Sequence, residues 1–347
     1  MAIAATDPLG PDRDWLAHRF DGARGIIRFL RVTREDHRAA TFLDDEYLGA
    51  RPHLDVPIAK LASAQPGGDA PVHFIFHSAF CCSTLLARAF DLPGRSIGLK
   101  EPKILNDLAL EAHQRRLRPD IVALVLGLLA RTAAPGETLV VKPSNEANIL
   151  IEPLLAARPA SKAILLSSPL QDFLYSVAKK GMWGRIWARR QHGRLRTFQR
   201  RDPGFSATEM FEQTDLQIAA MAWLMQRAQF LHVASAFPDR ARSLDSEQLL
   251  ASKATILQAA ADWFGIAITS EDAAGIAGSD IFAEHAKEIG RRYDPAVRDS
   301  ERDALRLAHR DEIDMVLRWA EAVAGAMQVP MTQTSPLTSD APAGRLA

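Results

Sequence analysis

The sequence feature that most constrains the fold of this chain is a short apolar stretch, followed by a polar loop and then by a helical pattern. The letters are PVHFIFH at 71–77, HSAFCCST at 77–84 and STLLARAF at 83–90. A bulky apolar run bounded by turn signals is typical of a buried strand, and apolar residues spaced by three and four are typical of a helix. The order strand, loop, helix predicts a phosphate-binding unit, because inward-pointing N–H groups and the helix N-terminus attract anions.

Further apolar segments alternate with helical patterns downstream. We expect strands at 96–100, 137–143, 163–167 and near 242–244, and an apolar helix over 117–131. Such alternation favours a parallel sheet covered on both faces. The expected fold class is therefore α/β, a three-layer fold of the P-loop type with a central, mostly parallel sheet flanked by helices.

Breaker-rich and low-complexity stretches divide the chain into three parts. Residues 1–70 end in AQPGGDAP and are expected to form an N-terminal extension packed on the main domain. Residues 71–329 should form the P-loop α/β domain. The polar tail at 330–347 is expected to be disordered.

Composition excludes several classes of protein. The 42 basic and 42 acidic side chains cancel, so no overall field draws the chain to nucleic acid, and no nucleic-acid partner is expected. The most apolar run, 121–130, has about half the roughly 20 residues of a membrane span. The N-terminus lacks the pattern of a signal peptide. The two cysteines are adjacent, and this spacing suits neither a disulfide bond between them nor a zinc site. We therefore expect a cytoplasmic protein without a metal site.

The loop at 77–84 departs from the nucleotide-hydrolysing pattern of Gly, four residues, Gly, Lys and Ser or Thr. Only the final hydroxyl is present, so a kinase-like ATP or GTP enzyme is not expected. Two interpretations remain open from the residues alone. The loop holds a phosphate, or it is a plain strand-to-helix turn in which Ser83 caps the helix.

The loop resembles the 5′-phosphosulfate loop of sulfotransferases that use 3′-phosphoadenosine 5′-phosphosulfate (PAPS). Ser83 and Thr84 match the family's hydroxyl pair, Cys82 its Gly, and Phe80 its Lys or Arg. The resemblance implies PAPS as co-substrate and no metal. It implies cofactor contacts from His77, Ser78, Ala79, Phe80, Cys81, Cys82, Ser83 and Thr84.

Two further segments resemble the family's catalytic motifs. LKEPKILNDL at 99–108 matches the segment whose glutamate takes the proton from the acceptor, which makes Glu101 the candidate base. LVVKPSNEANIL at 139–150 matches a strand that ends in Lys and Pro. Because Phe80 cannot supply a cation, Lys142 or Lys103 is expected to stabilise the leaving phosphate.

The remaining matches concern the 3′-phosphate. SSPLQDFLYS at 167–176 aligns Ser168 with the family's arginine and Ser176 with its serine, and Lys179 and Lys180 are the next basic residues. FAEHAKEIGRRYD at 282–294 resembles a loop that closes over the nucleotide and offers Lys287 and Arg291. The matches follow the family's order over about residues 72–292.

An acid-free, arginine-rich stretch at 173–201 carries Trp183 and Trp187 four residues apart. Such a stripe is able to bind nucleic acid, an acidic acceptor or a membrane surface, but we favour balancing of nearby acids or lining of the cofactor site. The predicted function is transfer of a sulfuryl group from PAPS to a hydroxyl or amine. The alternative is a non-catalytic relative that binds a nucleotide or a protein partner.

Overall fold

The computed structural model describes residue 9 and residues 12–64, 68–283 and 295–338. Its N-terminal part contains a three-stranded antiparallel sheet of order β1-β2-β3. The elements of this part are β1 (Trp15–Asp21), β2 (Ile26–Arg31), α1 (Arg34–Ala39), α2 (Asp45–Leu48), β3 (His53–Pro57) and α3 (Ile58–Ala64).

A five-stranded sheet forms the centre of the molecule, and all of its strands are parallel. Its strands are β4 (Val72–His77), β5 (Ser96–Lys100), β6 (Thr138–Lys142), β7 (Ala163–Ser167) and β8 (Ala241–Asp245). Their spatial order is β5-β6-β4-β7-β8. Strand β4 therefore lies in the middle, with β6 and β5 on one side of it and β7 and β8 on the other. Ligands of such sheets bind at the carboxyl ends of the strands, where the winding direction reverses.

Helices cover both faces of this sheet, which confirms the expected fold class. After β4 they are α4 (Ser83–Ala89), α5 (Ile104–His113), α6 (Pro119–Ala130), a 3₁₀ helix (Asn145–Leu150), α7 (Ile151–Ala157), α8 (Leu170–Lys179), α9 (Gly181–Leu195), α10 (Ala207–Glu212), α11 (Asp215–Ala236), α12 (Ser246–Ala251), α13 (Lys253–Phe264), α14 (Ser270–Ala277), α15 (Asp280–Ala283) and α16 (Pro295–Met327).

Alternation along the buried strands builds the two hydrophobic layers. Phe74 and Phe76 of β4 point to the core beneath α5 to α7, and Ile75 points to the opposite core beneath α4 and α13. Because both faces are covered, the strands are continuous apolar runs, as parallel strands require. A third core packs α8, α9, α11 and α16 against one another beside the sheet.

The N-terminal sheet shares a core with the central sheet. Trp15, Ile27 and Phe29 belong to the same buried cluster as Leu99 and Val141. Trp15 and its partners therefore contribute to one continuous apolar interior, and their burial stabilises both sheets together.

The tail at 330–347 was expected to be disordered. Its residues 330–338 pack on the sheet, and residues 339–347 lie outside the described part of the chain. Ser243 of β8 hydrogen-bonds the tail through its backbone, to the Ser335 carbonyl at 2.9 Å and from the Leu337 N–H at 2.8 Å. Its hydroxyl donates to the Thr334 carbonyl at 2.6 Å. Residues 330–338 are therefore ordered, because the edge strand β8 and the buried side chain of Arg227 bind their backbone groups.

No helix within residues 12–64, 68–283 and 295–338 is both long and apolar enough to cross a membrane.

Candidate active site

The loop between β4 and α4 adopts an unusual backbone conformation. Ala79, Phe80 and Cys82 have φ angles of 72°, 50° and 61°, in the left-handed region that non-glycine residues rarely occupy. Helix α4 begins after Cys82, whose side chain makes no capping hydrogen bond. The interpretation of Ser83 as the N-cap is thus wrong, since Ser83 is already the first helical residue. Strained backbone of this kind is concentrated at ligand sites.

His77 ties this loop to the neighbouring strand. Its Nδ1 accepts from the Ala79 N–H at 3.1 Å, so the ring proton is on Nε2, which donates to the Pro143 carbonyl at 3.1 Å. The backbone carbonyl of His77 accepts from the buried Asn148 amide at 2.9 Å. These bonds fix the loop relative to the end of β6.

The Phe80 ring packs against aromatic rings of α8 and α9. Its ring lies 5.0 Å from the Trp187 ring and 5.8 Å from the Phe173 ring, measured between centroids. The position that is basic in sulfotransferases is therefore occupied by a side chain that packs into the core of α8 and α9. Phe80 therefore supplies no positive charge to this loop.

The two adjacent cysteines are free thiols. Cys81 is buried, and its Sγ lies 3.5 Å from the Leu166 carbonyl oxygen. Burial raises the pKa of the Cys81 thiol. Cys81 is consequently a packing residue in its neutral form rather than a nucleophile.

Glu101 and Lys142 meet at the ends of two adjacent strands. Lys100 and Lys142 are register partners, and the Glu101 N–H donates to the Lys142 carbonyl at 2.7 Å. Glu101 has a φ of 55°, which turns the chain at the end of β5. The Lys142 ammonium, fully buried, pairs with the Glu101 carboxylate. His77 Nε2 lies 3.8 Å from Glu101 Oε1, so the structure brings these three predicted residues together.

Lys103 and the hydroxyls of the loop complete the edge. Lys103 is half-buried at the start of α5, and its N–H donates to the Leu43 carbonyl at 3.1 Å. Ser78, Ser83 and Thr84 are buried in and after the loop. The buried Lys142, not Lys103, is the lysine in contact with Glu101.

Four of the predicted 3′-phosphate residues lie in or directly beside α8. Ser168 is buried, and its hydroxyl has no hydrogen-bond partner among the described residues. Ser176 is half-buried, while Lys179 and Lys180 are exposed at the far end of α8, about 14 Å from its first residue. Lys287 and Arg291 lie outside the described residues. Ser168 thus offers an unused buried hydroxyl, whereas the two lysines stand apart from it.

Sequence reasoning missed a buried arginine near the same edge. The Arg227 guanidinium stacks on Trp223, lies 3.5 Å from Ser167 Oγ, and donates to the carbonyls of Pro330 and Thr332. Burial raises the pKa of nearby Asp245 to about 6. A lone arginine inside the apolar run AAMAWLMQRAQF was the available signal.

Sequence reasoning also missed two aromatic residues of the N-terminal part that lie near Lys142. The Lys142 Nζ lies 5.2 Å from the Phe42 ring centroid, and Phe42 in turn contacts Tyr47. The family motifs begin after these residues, so no motif pointed to them.

The arginine-rich helix α9 mainly balances nearby acids. Arg185 and Arg189 pair with Asp215, and Arg194 pairs with Glu146. The two tryptophans differ, since Trp187 packs against Phe80 and Trp183 is 60% exposed. Arg194 also anchors α9 over the 3₁₀ helix that follows Lys142.

Within residues 12–64, 68–283 and 295–338 no group of three or more His, Cys, Asp or Glu side chains is placed to hold a metal ion.

Comparison with known proteins gives matches in structure only. No protein-family model and no curated protein matches the chain. It is similar to a sulfotransferase domain from the curacin biosynthetic pathway at 16% identity and a TM-score of 0.42, over 64% of this chain and 84% of that one. It is similar to a sulfotransferase domain from the Synechococcus PCC 7002 olefin synthase at 15% identity and a TM-score of 0.40, over 74% and 96%.

A third similar structure is sulfotransferase STF9 from Mycobacterium avium, at 14% identity and a TM-score of 0.43, over 74% of this chain and 80% of that one. The fold class itself follows from the parallel strand order and the two helical layers described above.

Proposed function

We propose that this chain transfers a sulfuryl group from PAPS to a hydroxyl or amine acceptor. The observation that carries the proposal is the pairing of Glu101 with Lys142 beside the loop at 77–84. The two residues are 41 positions apart in the sequence and come from separate motifs, yet they meet at the sheet edge where α/β folds bind ligands.

The loop and α8 would hold the donor. Backbone N–H groups of residues 77–84, with the hydroxyls of Ser83 and Thr84, are suited to the 5′-phosphate. The 3′-phosphate is proposed to bind at one of the two ends of α8, either at the unused hydroxyl of Ser168 or at Ser176 with Lys179 and Lys180. Lys287 and Arg291 stay in this proposal as residues that close over the nucleotide.

Glu101 would act as the base and Lys142 as the cation. The carboxylate takes the proton from the acceptor, whose oxygen or nitrogen forms a bond to sulfur while the bond from sulfur to the bridging phosphate oxygen breaks. The electron pair of that bond stays on the bridging oxygen, and Lys142 stabilises the charge. Because protonation neutralises Glu101, its pairing with Lys142 weakens as the leaving group becomes negative. The products are a sulfuryl ester or amide and 3′-phosphoadenosine 5′-phosphate (PAP).

Nucleotide binding and transfer together test the proposal. We expect PAP to raise the melting temperature more than ATP does, with about 2.7 kcal/mol of stabilisation at 100 times Kd. We also expect label from PAPS to appear on at least one acceptor in a panel of alcohols, phenols and amines. Equal shifts from PAP and ATP contradict the choice of donor.

A non-catalytic relative is the second candidate, and the packing of Phe80 into the aromatic core favours it. A phosphate loop without its basic side chain is what loss of catalysis would leave behind. Tight PAP binding by the wild type, with no transfer to any acceptor in the panel, would support this candidate.

A further inference from the structure

The segment before α2 is fixed against the carboxyl end of β5. The Leu43 N–H donates to the Lys100 carbonyl at 2.7 Å, and the Leu43 carbonyl accepts from the Lys103 N–H at 3.1 Å. The buried Lys100 ammonium donates to the carbonyl of Ala40 at 2.5 Å. Residues 40–43 therefore have a defined position beside Glu101 rather than that of a loose loop.

Two rings of this segment continue the site outward. The Phe42 ring is half-buried, with the Lys142 ammonium 5.2 Å from its centroid. The Tyr47 ring meets Phe42 edge-on, at 5.4 Å between centroids and an interplanar angle of 89°, and Tyr47 is 41% exposed. An aromatic surface thus runs from solvent to the paired Lys142 and Glu101.

The charges around the outer ring, that of Tyr47, are negative. Asp44, Asp45 and Glu46 precede Tyr47, and only Asp45 is paired with bases among the described residues, at 2.7 Å from His18 and 2.9 Å from Arg19. Burial raises the pKa of the Tyr47 phenol, as do the charges of Glu46, Asp44 and Glu101, so Tyr47 is neutral at physiological pH. An anionic acceptor would be repelled here, whereas a neutral flat one gains aromatic contact.

On the basis of the proposed transfer reaction, we infer that Phe42 and Tyr47 form the acceptor-binding wall and that the acceptor is an uncharged, phenol-type hydroxyl compound. An acceptor hydroxyl within hydrogen-bond reach of Glu101, about 2.6 to 3.2 Å, puts the body of the molecule beside the ring that covers Lys142. Phe42 orients that body, and Tyr47 closes its outer side.

The experiment measures acceptor binding and transfer separately. Binding of 2-naphthol and of 6-hydroxy-2-naphthoate to the protein saturated with PAP is followed by naphthol fluorescence, and transfer is measured with labelled PAPS. The variants are Tyr47→Ala, which removes the ring, and Tyr47→Phe, which keeps the ring and removes only the hydroxyl. The matched control is Phe211→Ala, which removes an 87% exposed ring from α10.

We expect 2-naphthol to bind more tightly than its carboxylated analogue. Tyr47→Ala should weaken naphthol binding, and raise its KM, about tenfold, the usual value of one aromatic contact. PAP binding should change little, Tyr47→Phe should keep the naphthol affinity that Tyr47→Ala loses, and Phe211→Ala should behave as wild type.

Two results overturn the inference: equal or tighter binding of the carboxylated compound, or unchanged naphthol binding in Tyr47→Ala. A wild type that binds 2-naphthol through Tyr47 but transfers nothing would instead refute the proposed reaction and leave the binding wall in place.

Discussion

The Glu101 N–H donates to the Lys142 carbonyl at 2.7 Å, and the side chains of the same two residues form an ion pair. The backbone bond extends the pairing of β5 and β6 one residue beyond the strands. The proposed base and the proposed cation are thereby held together twice, through the main chain and through the side chains. Changes at either residue test the proposed chemistry without moving the strand ends.

Glu101→Gln should abolish most transfer. The amide keeps an oxygen that accepts from Lys142, so the fold should be retained, but it cannot take a proton. We expect a loss of about a hundred- to ten-thousand-fold in kcat. The measurement is steady-state transfer from labelled PAPS, with Glu271→Gln on exposed α14 as the matched control. Near-normal turnover in Glu101→Gln would remove Glu101 from the mechanism.

Lys142→Met should lower kcat more than it weakens PAP binding. A cation aimed at the departing oxygen acts mainly in the transition state, and its loss typically costs about a hundred- to a thousandfold. Methionine fills much of the buried volume of the lysine stem. Calorimetry with PAP, run beside the kinetics, separates the two effects. A large loss of PAP affinity at unchanged kcat would make Lys142 a binding residue.

Alanine at both Lys179 and Lys180 should weaken PAP binding and leave adenosine 5′-monophosphate binding nearly unchanged. The two ligands differ only in the 3′-phosphate, which is the group that the lysines are proposed to attract. The comparison is a pair of calorimetric titrations of the double variant and wild type. No change for either ligand would move the 3′-phosphate to other basic residues.

Asp245→Asn should stabilise the protein above pH 6 and have less effect at pH 5. Burial raises the pKa of Asp245 from 3.8 to about 6, so the folded state holds its proton more tightly than the unfolded state does. The free energy of unfolding of the wild type therefore falls as pH rises from about 4 to 6. Above that range Asp245 is ionised in both states, and the loss of stability is complete. Asparagine can keep the capping bond to Glu247 N and removes a cost of about 1 to 3 kcal/mol.

Melting temperatures at pH 5 and 7.5 check the Asp245 prediction. Asp239→Asn, at an exposed aspartate, is the control for the loss of one charge. A gain that is equal at both pH values would show that titration of Asp245 is not its cause.

Truncation after Val329 should destabilise the protein more than truncation after Thr338 does. The shorter chain lacks the carbonyls of Pro330 and Thr332, which leaves the buried Arg227 guanidinium short of acceptors. A buried charge without partners costs about 2 to 4 kcal/mol. Urea unfolding of both truncations against the full chain measures the difference. Equal stability of the two would mean that the tail contacts contribute nothing.

The central sheet was predictable because a strand buried on both faces is a continuous apolar run. The expected strands at 96–100 and 163–167 agree with β5 and β7 residue for residue. Capping at Ser83 was wrong because the left-handed turn at Cys82 leaves no compositional trace. The ordered tail was missed because its partners, Arg227 and Ser243, are about a hundred residues away in the sequence.

The residues of the candidate site divide in the same way. Glu101, Lys142 and His77 were predicted from the resemblance of their motifs. The structure places His77 and Lys142 at the ends of β4 and β6 and Glu101 directly after β5, at the edge where parallel strands end. Phe42 and Tyr47 were not found, since their place in the site depends on how Leu43 pairs with Lys100. The local sequence around Phe42 and Tyr47 gives no sign of the pairing between Leu43 and Lys100.

The hydrogen bonds of the Lys100 ammonium limit how this protein could be divided or recombined. Lys100 is buried, and its acceptors are the carbonyls of Arg38 and Ala40 at the end of α1. A fragment that starts at residue 71 would keep every family-like motif but would lose those acceptors and Phe42. Grafting the central sheet onto another N-terminal region would require replacement carbonyls for Lys100 as well as a replacement for the shared apolar core, so the two regions are expected to be inherited as a unit.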